Sequence, residues 1–240
     1  MTTRNSATKN KTDFSITKGD KIEQPSITLT HENYAAEIVG WAADKGIYSH
    51  TTISTTKQKL AQLTKVISET VEINSAMVMW VDPDVDADRE AQSDAVIDAI
   101  GDTLVTLIIL DAHYRSFDNS DSDIFDESLF IFTEYYLDRK LASDTDVEDA
   151  HGALFKSLDI LSSEVILHAG DHEKDDSVYN AIETHCISVF DMCIVLDLEP
   201  FICLQTAYEV IALRTGITVN GVFVKSEDLI GGKIYNAVEL

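Results

Sequence analysis

Basic residues are scarce in this chain: 18 Lys and Arg stand against 42 Asp and Glu, a formal net charge of −24. Such a surface repels nucleic acid, so a direct binder of phosphodiester backbones is excluded. Cysteine is scarce as well. Cys186, Cys193 and Cys203 are odd in number and lie in apolar stretches, which reads as core thiols rather than a disulfide framework or a metal site. The three prolines, at 25, 83 and 200, fall clear of the long periodic runs, so none interrupts a helix. No glycine-rich loop that would cradle a phosphate is present, nor a nucleophile elbow, and Gly231-Gly232 is a terminal hinge at most. The longest apolar run, Leu104 to Leu110, is far too short to cross a bilayer, and the first thirty residues lack the apolar core of a secretory signal. The expectation is a cytoplasmic protein without membrane contact.

What is there is helical periodicity. In 240 residues, 45% are hydrophobic, enough to build a real core. Apolar positions recur at helical spacing near residues 32–45, 56–79, 90–113, 124–141, 147–168, 176–196 and 199–214, while strand signals are confined to the short Gly221-Val222-Phe223-Val224 stretch. The fold class expected is all-α, a helical bundle. Residues 1–30, polar and with five basic residues against three acidic ones, read as a flexible tail. Across residues 31–240, 39 acidic residues face 13 basic ones, a net of −26.

Two acidic pairs stand out from that background. Glu69 and Glu72 on the second helix, and Asp98 and Asp102 on the third, are spaced to share a helix side. Val66, Ile73 and Ala76 accompany the first pair, and Val105 and Ile109 lie under Asp102, so all four acids are expected to point inward. At about 6 Å and an effective dielectric near 20, each carboxylate pair repels by about 3 kcal/mol. A hard, oxygen-seeking cation, Mg2+ or Mn2+, would neutralise them and keep positions open for phosphate oxygens. Other acidic and histidine motifs fail: Asp84-Val85-Asp86-Ala87-Asp88 starts like a calcium loop, but Arg89 stands where glycine is needed and Ala95 where the bidentate Glu belongs. His168 and His172 are separated by the helix-breaking Gly170-Asp171. A different class of function also fits the charge, a catalytically silent acidic protein that mimics nucleic acid as an inhibitor or binding module. That role needs acids in exposed rows.

The stretch from Ala61-Gln62-Leu63 through Ser68-Glu69-Thr70-Val71-Glu72 resembles the first metal helix of MazG-like (all-α) nucleoside triphosphate pyrophosphohydrolases, notably their phage-type members. Asp98-Ala99-Ile100-Gly101-Asp102-Thr103-Leu104-Val105 resembles their second. Trp41-Ala42-Ala43-Asp44-Lys45-Gly46-Ile47 is similar to the family's opening segment. Leu198-Glu199-Pro200 through Arg214-Thr215-Gly216, then Asn220 to Lys225, resembles its last helix and tail. The resemblance spans about half the chain. It implies a Mg2+-dependent hydrolase that splits a nucleoside triphosphate into pyrophosphate and a nucleoside monophosphate. Glu69, Glu72, Asp98 and Asp102 would be the catalytic metal ligands, with Gln62 for the base and Lys65, Arg139, Lys140 and Arg214 for phosphates. Lys65 reads equally as an i,i+4 partner of Glu69. Two departures are visible: Ser68 replaces the first of the family's adjacent acids, and Glu209 and Ala212 stand where its substrate Asn and Lys are usual.

Between the matching ends, Asn180 to Ile187 overlays Asp98 to Val105 with the acids replaced by Asn180 and Thr184. Ala153 to Val165 repeats the first metal helix, with Leu161 for Glu69 and Glu164 for Glu72. Tandem duplication would give a first helical unit, 31–142, that holds the metal site, a degenerate second unit, 143–225, and a tail, 226–240. Two four-helix units would then form a pseudo-dimer. A plain helical insertion is the rival, and a homo-oligomer remains open.

Overall fold

The computed structural model describes residues 33–81, 89–115, 146–171, 176–219 and 222–226. Among these, six helices carry the chain: α1 Tyr34–Asp44, α2 Thr56–Val81, α3 Arg89–Tyr114, α4 Val147–His168, α5 Asp176–Val195 and α6 Pro200–Ala212. They match the periodicity closely, and the fold is mostly α. The helix expected at 124–141 lies outside the described residues, as do Arg139 and Lys140. No helix among the described residues is long and apolar enough to cross a membrane.

Local sequence explains where these helices begin and end. Thr55 and Gln58 form a reciprocal capping box at the start of α2: the Gln58 N–H donates to Thr55 Oγ1 at 3.3 Å and the Thr55 N–H to Gln58 Oε1 at 2.9 Å. Asp146 caps α4 by accepting from the Asp149 N–H at 2.9 Å. Pro200 opens α6, where its missing N–H costs nothing. α1 ends at Gly46 with φ +70°, and the Gly46 and Ile47 N–H groups return to the carbonyls of Ala43 and Ala42.

The centre of the molecule is α3, whose residues from Thr103 to Tyr114 are all buried. It packs on α1, α2, α5 and α6. α2 and α3 form one helical hairpin, and α4 and α5 a second that lies against the first through α2 with α4 and α3 with α5. Close approach of α3 and α6 depends on Gly101: a Cβ there would sit 2.2 Å from the Cys203 carbonyl oxygen and 2.7 Å from Ala207 Cβ. Cys186, Cys193 and Cys203 are buried free thiols, as their apolar setting implied.

Two buried histidines tie the helices together. His185 on α5 contacts Thr70 Oγ1 of α2 through Nε2 at 3.1 Å and Ser157 Oγ of α4 through Nδ1 at 2.8 Å. His113 at the end of α3 meets Ser54 Oγ through Nδ1 at 2.8 Å. Burial holds both well below the ordinary histidine value, at about 4, with Lys59 adding to the effect at His113.

After α6 the chain makes a small antiparallel hairpin, β1 Gly216–Val219 with β2 Val222–Lys225, pairing Ile217 with Val224 and Thr218 with Phe223. β2 falls on the expected strand stretch, while β1 was not expected. The hairpin docks on the end of α1: the Thr218 hydroxyl donates to the Lys45 carbonyl, and Trp41 meets Phe223 edge-on at 5.8 Å.

Candidate functional site

α2 and α3 run antiparallel, with Gln62 opposite Thr106 and Glu69 opposite Asp102. Down one face of α3, exposure falls from exposed Asp98 through half-buried Asp102 to buried Val105 and Ile109. α2 supplies Gln62, Lys65 and Glu69 across from them. α1 adds Trp41, the end of α6 adds Ile211 and Arg214, and β2 adds Phe223 and Lys225. Together they line one cleft. Its cavity volume is about 90 Å3. That admits several waters, a hydrated ion or a phosphate group, but is smaller than the roughly 300 Å3 and upward of pockets that enclose a whole small ligand.

Charges inside the cleft are interleaved. Glu69 Oε1 lies 3.6 Å from Lys65 Nζ, one turn earlier on α2. Asp102 Oδ2 lies 3.6 Å from an Arg214 guanidinium nitrogen. Gln62 Nε2 donates to the Thr106 carbonyl at 2.9 Å, which fixes its amide against the α3 backbone. Burial raises the pKa of Glu69; Lys65 opposes the shift, and the nearby charges of Glu72 and Asp102 reinforce it. Asp102 is raised in the same way: burial dominates, Arg214 opposes, and Asp98 and Glu72 add to the rise. The four acids therefore sense one another electrostatically.

The expectation that all four point inward holds in part. Glu69 is 8% exposed and the Asp102 side chain 17%, but Glu72 and Asp98 are exposed. Helical geometry gives the reason: three residues turn a helix by about 300°, so Glu72 stands about 60° beyond Glu69, which is already at the edge of the Val66–Ile73 stripe. Asp98 lies one turn before Asp102 on α3, at the exposed end of this face. Among the described residues, no three Asp, Glu, His or Cys side chains are arranged to hold a metal ion. Two of the acids are already paired with cations, Glu69 with Lys65 on its own helix and Asp102 with Arg214 beyond α6.

Of the residues expected to contact substrate, Gln62, Lys65 and Arg214 line the cleft. Lys65 does make the i,i+4 pair with Glu69 that its spacing allowed. Ser68, Glu209 and Ala212 are exposed, and none of them lines it. Trp41, Thr106, Phe223 and Lys225 line it without having been expected. Trp41 and Lys225 carried a usable signal, a rare tryptophan and a rare cation in an acidic chain, but their convergence depends on the hairpin folding back onto α1. His168 pairs with Asp171 and Glu164, a local arrangement remote in sequence from this cleft.

Comparison of the chain with known protein families, with curated proteins and with solved structures finds no match.

Proposed function

We propose that this protein is a Mg2+-dependent nucleoside triphosphate pyrophosphohydrolase, with its active site in the cleft between α2 and α3. The observation that carries the reading is Asp102: one carboxylate oxygen meets Arg214, and the other, Oδ1, is buried with no hydrogen-bond partner among the described residues. A buried anionic oxygen left open, within reach of the fields of Glu69, Glu72 and Asp98, is suited to a cation. The donor set is all carboxylate oxygen, which suits Mg2+ or Mn2+ and not a soft metal.

Glu69 and Asp102, which line the cleft, would hold the ion, and Glu72 and Asp98 would have to turn in to join them, since the four do not stand as a ready ligand set. When bound, it would supply charge neutralisation for phosphate oxygens and a water of lowered pKa. Lys65 pairs with Glu69 and Arg214 with Asp102, and with those acids engaged by an ion both cations would be free for the phosphate chain. Gln62 is anchored by Thr106 and presents its carbonyl oxygen as an acceptor to a base. The cavity of about 90 Å3 fits one phosphate group. Pyrophosphate release from a panel of nucleoside triphosphates with Mg2+ tests the reading.

The finer architecture belongs to the same proposal: a bundle of the all-α pyrophosphatase type in which α4–α5 is a degenerate copy of α2–α3. Burial supports it. Val96, Ala99, Ile100, Thr103 and Leu104 are buried on α3, and Val178, Ala181, Ile182, His185 and Cys186 on α5, in the same register. Leu161, fully buried, falls where Glu69 stands. Superposition of α4–α5 on α2–α3 with Thr184 over Asp102 is the expected result, whereas hairpins of different crossing would make the segment an unrelated insertion. Exposure of Glu72 and Asp98 favours one second reading, the acidic mimic of nucleic acid. It requires tight capture of a basic DNA-binding protein, competed by DNA, without turnover.

A further inference from the structure

Two polar atoms in the wall of the cleft are sealed from solvent and have no hydrogen-bond partner among the described residues: Asp102 Oδ1 and the indole Nε1 of Trp41. They are opposite in kind. A carboxylate oxygen only accepts, and an indole N–H only donates. Buried polar groups are nearly always satisfied, so each calls for a partner that the described residues do not supply. The Trp41 ring is fixed edge-on against Phe223 at 5.8 Å, with the next turn of α1 tied to β1 through the Lys45 carbonyl and Thr218.

Positive charge is concentrated at the same place. Lys65, Arg214 and Lys225 all line the cleft, in a chain with only 18 basic residues against 42 acidic ones. Lys65 and Arg214 are engaged with Glu69 and Asp102. Lys225, on β2 beside Phe223, makes no ion pair among the described residues. A lone donor beside an uncommitted ammonium calls for an anion with several acceptor oxygens, and the cavity volume of about 90 Å3 fits one phosphate group.

We propose that Trp41 and Lys225 bind the phosphate chain of the ligand, Trp41 donating its indole N–H to a phosphate oxygen and Lys225 neutralising its charge. This rests on the cleft being a polyphosphate site, as in the function proposed above. Trp41 thereby takes a substrate-binding role, and the β-hairpin that carries Lys225 becomes part of the site.

The test uses inorganic triphosphate with Mg2+ and the full chain. The chain has two tryptophans, so Trp80→Phe leaves Trp41 as the sole tryptophan, excited selectively at the red edge where tyrosine does not absorb. Triphosphate should change its emission saturably, and sulfate at equal ionic strength should not. By calorimetry, Trp41→Phe, which keeps an aromatic ring against Phe223, should weaken triphosphate binding about tenfold, the loss expected for one hydrogen bond to a charged group. Lys225→Gln should weaken it several-fold and flatten its salt dependence. Calorimetric binding with silent Trp41 emission, or undiminished affinity in both variants, would mean that an ordered water completes Nε1 and would overturn the inference. Absence of any triphosphate binding overturns it as well. Nucleotide hydrolysis with both variants at full affinity sinks this inference and leaves the enzyme reading intact, whereas Trp41-dependent binding without hydrolysis does the reverse.

Discussion

Asp102 on α3 and Arg214, two residues past the end of α6, stand 3.6 Å apart, joining the acidic face of one helix to the exit of another. Arg214 competes with any cation for Asp102. Arg214→Gln should therefore tighten Mg2+ binding a few-fold while weakening triphosphate binding about tenfold or more. Paired calorimetric titrations separate the two effects, and losing both affinities together would make Arg214 a structural strut only.

Asp102 also carries a stability prediction. Its pKa is raised because burial outweighs Arg214, so the ionised form is disfavoured by folding. Asp102→Asn keeps the shape and removes the disfavoured charge. It should be more stable than the wild type near pH 7.5 and catalytically dead, a trade of stability for function. Thermal melts and turnover assays on one sample check this; a lower melting temperature would contradict it.

The buried histidines act in the opposite direction with pH. Their folded pKa is about 4 against 6.5 when unfolded, so between these values the unfolded chain binds protons that the folded chain refuses. Their stabilisation is full above pH 6.5 and is lost as pH falls towards 4. Glu69 and Asp102, with raised values, oppose this by gaining stability as pH falls through their own titrations. His113→Gln should remove about one proton from the acid dependence. Denaturant unfolding at several pH values between 7.5 and 4.5 measures it, and an unchanged slope would refute the assignment.

Ser68 is exposed on α2 and is an i,i+4 neighbour of Glu72. Ser68→Glu should tighten Mg2+ binding severalfold by adding a carboxylate beside Glu72. Unchanged affinity would place the ion deeper, towards Glu69 and Asp102.

Gly101 is the hinge point of the α3–α6 contact. Gly101→Ala drives a Cβ to 2.2 Å from the backbone oxygen of Cys203, a group that cannot rotate away. The cost of overpacking, set against the better helix propensity of alanine, should leave a loss of about 2 kcal/mol by chemical denaturation. Arg214 moves with α6, so triphosphate binding should fall too.

The helices were legible because their faces obey a 3.6-residue period over many turns, and α3 because its apolar run leaves it no face for water. The cleft was legible along α2 and α3, where Gln62, Lys65, Glu69 and Asp102 sit within one helical hairpin, and at Arg214 after α6. Glu72 and Asp98 were misread as inward because spacing fixes which side residues share but not where a stripe ends or which neighbour stops short. β1 is a four-residue strand, too short for a periodic signal, and it is held by pairing with β2 and by docking on α1. Trp41 and Lys225, far apart in sequence, reach the same cleft only through that docking, which no local pattern encodes.

The most direct measurement is pyrophosphate release by the purified chain from each nucleoside triphosphate with Mg2+, repeated with chelator and with Glu72→Gln and Asp102→Asn. At least one nucleotide should be hydrolysed to its monophosphate and pyrophosphate, and chelation or either substitution should abolish turnover while the fold, followed by circular dichroism, persists. Turnover indifferent to chelator and to both substitutions, or no turnover with any nucleotide and no calorimetric Mg2+ binding, would contradict the account.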